Sequence, residues 1–81
     1  MRREKGATPE QISNDCYRKG KLLAIDRDPF LNGVRKYFKY GDDERPMEIT
    51  VLENKVVSAR RVPATVLKTL PPLNPPEFGN F

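Results

Sequence analysis

The chain has no histidine, no tryptophan and a single cysteine, Cys16, in 81 residues. Each absence removes a class of chemistry. Without histidine the commonest general acid–base is missing, and Cys16 has no imidazole to make it a nucleophile. A lone thiol among scattered carboxylates is not a zinc site, and one cysteine forms no internal disulfide. An unpaired thiol suits a reducing compartment. No GxxxxGKS/T or GxGxxG stretch is present to cradle a phosphate. Asp42-Asp43-Glu44 lacks the alternating ligands and central glycine of a calcium loop, so it is expected to be a solvated loop. The inventory predicts no catalytic residue, no metal ligand, no cofactor and no small-molecule substrate: the chain is expected not to be an enzyme.

Long apolar runs are also absent. None approaches the roughly 20 residues a membrane span needs. The opening MRREKGATPEQ is charged, with no apolar stretch behind it, so it is not expected to be a secretory signal. A soluble cytoplasmic protein, or one carried in a larger particle, is the expectation, with no membrane partner.

What is present is charge and proline. The net charge is +4. Residues 1–40 hold ten Lys/Arg against five acids, and residues 41–81 hold five against six. The uneven half points to an anionic partner, nucleic acid or an acidic protein face, although small proteins also use net charge simply to stay dispersed. One core of this size leaves little net stability, and small proteins often add a disulfide, a metal or a partner. Only the partner suits this composition, either another protein or a second copy. A sharp monomer melt independent of concentration would count against it.

Along the chain, residues 1–7 read as a flexible basic arm. Thr8-Pro9-Glu10-Gln11 is a helix start: Thr8 caps, Pro9 fits the first turn and Gln11 completes a capping box. The helix is expected over Pro9–Lys19, with Ile12 and Cys16 on its thin apolar face and Gly20 as its C-cap. Leu22-Leu23-Ala24-Ile25 is too short to show a period and reads as a buried strand or a connector. Over residues 29–40, Phe30, Leu31, Val34, Tyr37 and Phe38 recur at the spacing of one helical face, with Asp28 and Gly41 as caps. A second helix is therefore predicted, at a cost of about 1 kcal/mol for Gly33. Its rival is a hairpin turning at Asn32-Gly33 with 34–40 as a strand.

Met47-Glu48-Ile49-Thr50-Val51 alternates like a half-buried strand, Glu53-Asn54-Lys55 turns, and 56–62 returns. Residues 64–70 are expected to form one short helical turn. The end of the chain is proline-dense and expected to be extended, largely polyproline II. The predicted fold is α+β: two short helices packed on a β-hairpin, with 22–25 open as a third strand. The predicted organisation is an arm 1–7, a domain 8–70 and a Pro-rich tail 71–81.

Two docking surfaces emerge. The tail presents Leu70, Pro72, Leu73, Pro75, Phe78 and Phe81 on a stiff backbone suited to a groove, or it packs on its own domain. The second surface is basic and aromatic: Arg18, Lys19, Lys21, Arg35, Lys36, Lys39, Tyr40, Arg60 and Arg61. Its cations suit phosphates and its rings suit stacking on bases. As a helix, 29–40 would turn Arg35, Lys36, Lys39 and Tyr40 outward. The leading expectation is an accessory protein that binds a macromolecular partner, as a regulator, inhibitor or assembly component in the style of a compact phage or viral product. The alternative is a small basic nucleic-acid-binding protein of winged-helix order, a fold-level analogy.

Overall fold

The computed structural model describes residues 7–27 and 32–71. The basic arm up to residue 6, the segment 28–31 and the tail residues Pro72, Leu73, Pro75, Phe78 and Phe81 lie outside the described residues. The architecture is α+β. One α-helix, α1 (Pro9–Lys19), precedes four strands, β1 (Lys21–Asp26), β2 (Gly33–Lys39), β3 (Met47–Leu52) and β4 (Lys55–Arg61), and a 3-10 helix over Ala64–Thr69. The strands form one antiparallel meander in the order β1-β2-β3-β4. No helix among the described residues is long and apolar enough to cross a membrane.

α1 begins as its sequence dictates. The Gln11 N–H donates to Thr8 Oγ1 at 3.1 Å, and the Thr8 N–H donates to Gln11 Oε1 at 3.0 Å. Two otherwise orphaned N–H groups are thereby satisfied. Thr8→Ala is expected to cost about 1 kcal/mol, readable as a lower denaturation midpoint. At the far end Gly20 is needed for space and not for a left-handed turn. Its φ is −86°, and a Cβ there would lie 2.8 Å from the Cys16 carbonyl oxygen and 3.0 Å from that of Lys39.

The predicted helix over 29–40 is corrected to strand for residues 33–39. Apolar residues four apart, such as Val34 and Phe38, share a face of a helix and also of a strand. Tyr37 settles which, because it is buried in a different cluster from Phe38. This sheet is covered on both sides, which hides the alternation. The predicted helix cap Gly41 instead turns the chain between β2 and β3 with φ +77°. With β2 a strand, the helix–helix–hairpin order behind the winged-helix analogy is lost. The hairpin is likewise part of a larger, four-stranded sheet, and the Asn32-Gly33 two-residue turn does not form, since β1 ends at Asp26 and β2 starts at Gly33.

On one face Cys16 of α1 packs with Leu22, Ile25, Phe38, Met47 and Ile49. On the other, Ala24, Tyr37 and Val62 are joined by Val66, Leu67 and Leu70 from the 3-10 helix and its end. Bulges explain the odd spacings. The register shifts between Leu22 and Ala24, so Leu22 and Ile25 share a face although three apart. A second shift, opposite Thr50 and Val51, puts Val56 and Ala59 on the helix side and leaves Val57 exposed. Glu53 and Asn54 both take positive φ in the β3–β4 turn, the backbone that matches strand twist in a two-residue hairpin.

Candidate docking site

The C-terminal half of α1 and the ends of β2 and β4 meet around Asp15. Arg18 lies three residues on and Lys19 four, so helical spacing puts both cations beside its carboxylate. Arg18 Nη2 is 2.7 Å from Asp15 Oδ1, and Lys19 Nζ is 3.7 Å away. The Tyr40 hydroxyl, just past β2, donates to Asp15 Oδ2 and ties the helix to the sheet. Over the Tyr40 ring lies the Arg61 guanidinium, 5.5 Å from the centroid. Its nitrogens donate to the Tyr40 carbonyl at 2.7 Å and the Arg45 carbonyl at 2.8 Å, and Nε lies 3.7 Å from Asp43. Asp43 also accepts from Arg45 at 2.7 Å and 3.1 Å, so this acidic loop is organised by arginines. Among the described residues no group of three or more His, Cys, Asp or Glu is placed to hold a metal ion.

Between α1 and this end of the sheet runs an open groove of about 1230 Å³. Ile12, Met47 and Ala59 give it an apolar lining, and Arg18, Lys19, Tyr40, Arg60 and Arg61 line it too. The structure thus gathers five of the nine residues of the basic–aromatic surface. The other four are dispersed. Lys36 faces α1, where Nζ donates to the Tyr17 hydroxyl at 2.7 Å and lies 5.0 Å from that ring's centroid. Arg35 is on the opposite face, 3.5 Å from Asp26. Lys21 and Lys39 stand directly opposite each other across β1 and β2, and Lys39 Nζ donates to the Asp43 carbonyl at 3.2 Å. Segment 35–40 is therefore no continuous docking strip, because its side chains divide between two faces. Leu70, the one residue of the predicted tail surface that lies among the described residues, packs against the Ala24, Tyr37 and Val62 cluster.

Glu48 is a functional-looking group with a structural occupation. It is buried, and its carboxylate accepts from the Tyr37 hydroxyl at 2.9 Å and from Arg60 Nε at 2.9 Å. Burial, followed by the bond to Glu48, pushes the Tyr37 phenol well above its usual range. Cys16 is fully buried, and burial pushes its thiol up to about 11. The partners Asp15, Tyr17 and Glu48 had no place in the sequence-based surface. Only Asp15 had a readable signal, its helical spacing to Arg18 and Lys19.

The electrostatics set a pH window. The Tyr40 bond first and the Arg18 bond second hold Asp15 below the usual carboxylate range. Hydrogen bonds from Arg45 do the same for Asp43. A carboxyl whose pKa is lower folded than unfolded stabilises the fold above its unfolded pKa, and that contribution is lost as pH falls through the folded value. The melting temperature is therefore expected to fall below about pH 4, and Asp15→Asn is expected to flatten part of that fall. At the alkaline end the Asp15 bond raises the Tyr40 phenol from 10.0 to about 12. The same linkage, with opposite sign, predicts stability lost as pH rises through that interval.

The chain matches no protein-family model, no curated protein and no solved structure.

Proposed function

We propose that this chain is a non-enzymatic accessory protein that docks on a macromolecular partner, with a protein as that partner. The observation that carries this is the groove beside α1, an open concavity with apolar lining and charged sides. The reactive groups nearby support it by their occupations. Cys16 stays a buried thiol at neutral pH, and Glu48 and Asp43 hold arginines. A regulator, an inhibitor or an assembly component uses such a surface without making bonds.

Nucleic acid is the weaker reading. The exposed Tyr17 ring carries Lys36 and the Tyr40 ring carries Arg61, so neither offers a free platform for a base. Arg35 and Arg60 pair with Asp26 and Glu48 on the sheet face away from α1, so the cations do not form one continuous track for a phosphate backbone. Affinity capture with the full chain, run with and without nuclease and at rising salt, separates the readings. A protein partner retained after nuclease and through moderate salt supports docking. Loss on nuclease treatment, with a steep salt dependence, supports nucleic acid instead. A parallel capture with residues 71–81 deleted reports whether the tail takes part.

A further inference from the structure

The side chains around the groove select the chemistry of its occupant. We propose that it receives an acidic stretch of a partner protein bearing an apolar side chain, an inference that rests on the protein-binding reading above. Three cations face the groove, Arg18, Lys19 and Arg61, against one carboxylate, Asp15. Arg60 borders it, but its guanidinium pairs with Glu48 on the sheet face away from α1. Arg61 is committed to the Tyr40 and Arg45 carbonyls and shapes the wall. The side chains of Arg18 and Lys19 are 71% and 67% exposed, so their heads reach an incoming anion.

Exposed pairs of this kind are weak. Arg18 can turn from Asp15 to a partner's carboxylate at little cost, because the Tyr40 hydroxyl still holds Asp15. A groove of about 1230 Å³ exceeds the usual small-molecule pocket and has room for a peptide segment. Ile12, Met47 and Ala59 give that segment somewhere to bury an apolar side chain. A phosphodiester backbone would leave that lining unused, and the Tyr40 ring, covered by Arg61, would not stack a base.

The test uses fluorescence anisotropy with three probes: a glutamate-rich peptide carrying a central leucine pair, an all-glutamate peptide of equal length, and a single-stranded oligonucleotide. The protein is compared with R18E/K19E and with K55E/K68E. The second variant changes net charge equally, at exposed lysines that do not line the groove. Thermal melts establish that both variants fold. Saturable binding of the leucine-bearing peptide is expected, weakened about tenfold in R18E/K19E and within about twofold of the parent in K55E/K68E. The all-glutamate peptide is expected to bind less tightly.

Equal weakening in both variants overturns the proposal, since the attraction is then diffuse. Equal affinity for the two peptides overturns it as well, because the apolar lining is then idle. Tighter binding of the oligonucleotide overturns both this proposal and the protein-binding reading. Failure of the peptide alone overturns only the proposal, and the broader reading is then judged by the nuclease-treated capture.

Discussion

Phe38→Ala is expected to remove most of the fold's stability. Phe38 is 1% exposed and stands in register with Leu22 of β1 and Met47 of β3, beneath α1. The Tyr17 ring meets it edge-on with centroids 5.3 Å apart. Truncating a buried phenylalanine costs about 3–5 kcal/mol through lost transfer energy and the cavity left behind. The aromatic pair adds about 0.5–1.5 kcal/mol. Whole domains hold only about 5–15 kcal/mol, and an 81-residue chain sits toward the low end of that range. The melting temperature should drop by about 15 °C or more, or the cooperative transition should vanish. A change under about 1 kcal/mol would mean Phe38 is not the centre of the helix-side core.

Gly33→Ala is expected to destabilise, and the sign carries the information. A Cβ at Gly33 would lie 1.9 Å from the Val51 carbonyl oxygen and 2.8 Å from Leu52 Cδ2. The oxygen is backbone, fixed by the pairing of Gly33 with Leu52 and Val34 with Val51, so it cannot rotate away. Relief requires the start of β2 to separate from the end of β3, which also disturbs the Glu53 N–H bond to the Asn32 carbonyl. Overpacking of this kind costs about 1–3 kcal/mol or more. In the helix that the apolar spacing suggested, the same change would stabilise by about 1 kcal/mol. Urea denaturation of the two proteins distinguishes the cases, and a higher midpoint for the alanine variant would contradict the strand.

Legibility followed the range of the interactions. α1 was readable from both ends because its signals are local: a reciprocal cap at Thr8 and Gln11, and cations in the last turn. The β3–β4 pair was readable because Met47, Ile49 and Val51 alternate and the turn is short. β1 gave no period because a bulge interrupts its alternation at Leu23. β2 misled because Tyr37 and Phe38 are buried on opposite faces by partners far along the chain, Val62 and Met47 among them. In the groove, residue types were legible but their meeting was not. Arg18 and Lys19 come from the helix, Tyr40 from the end of β2, and Arg60 and Arg61 from β4. Nothing local announces that Tyr40 will reach Asp15, or that Arg60 will be drawn to Glu48 across the sheet.

The central claim, that this chain works by receiving a partner's acidic segment beside α1, is tested most directly by nuclear magnetic resonance. The glutamate-rich, leucine-bearing peptide is titrated into isotope-labelled protein and the shifting amide signals are mapped. The account predicts saturable shifts confined to the lining from α1, Tyr40–Gly41 and Ala59–Arg61. Shifts centred on Lys21 and Lys39 at the opposite face, or scattered over every exposed lysine, would contradict it.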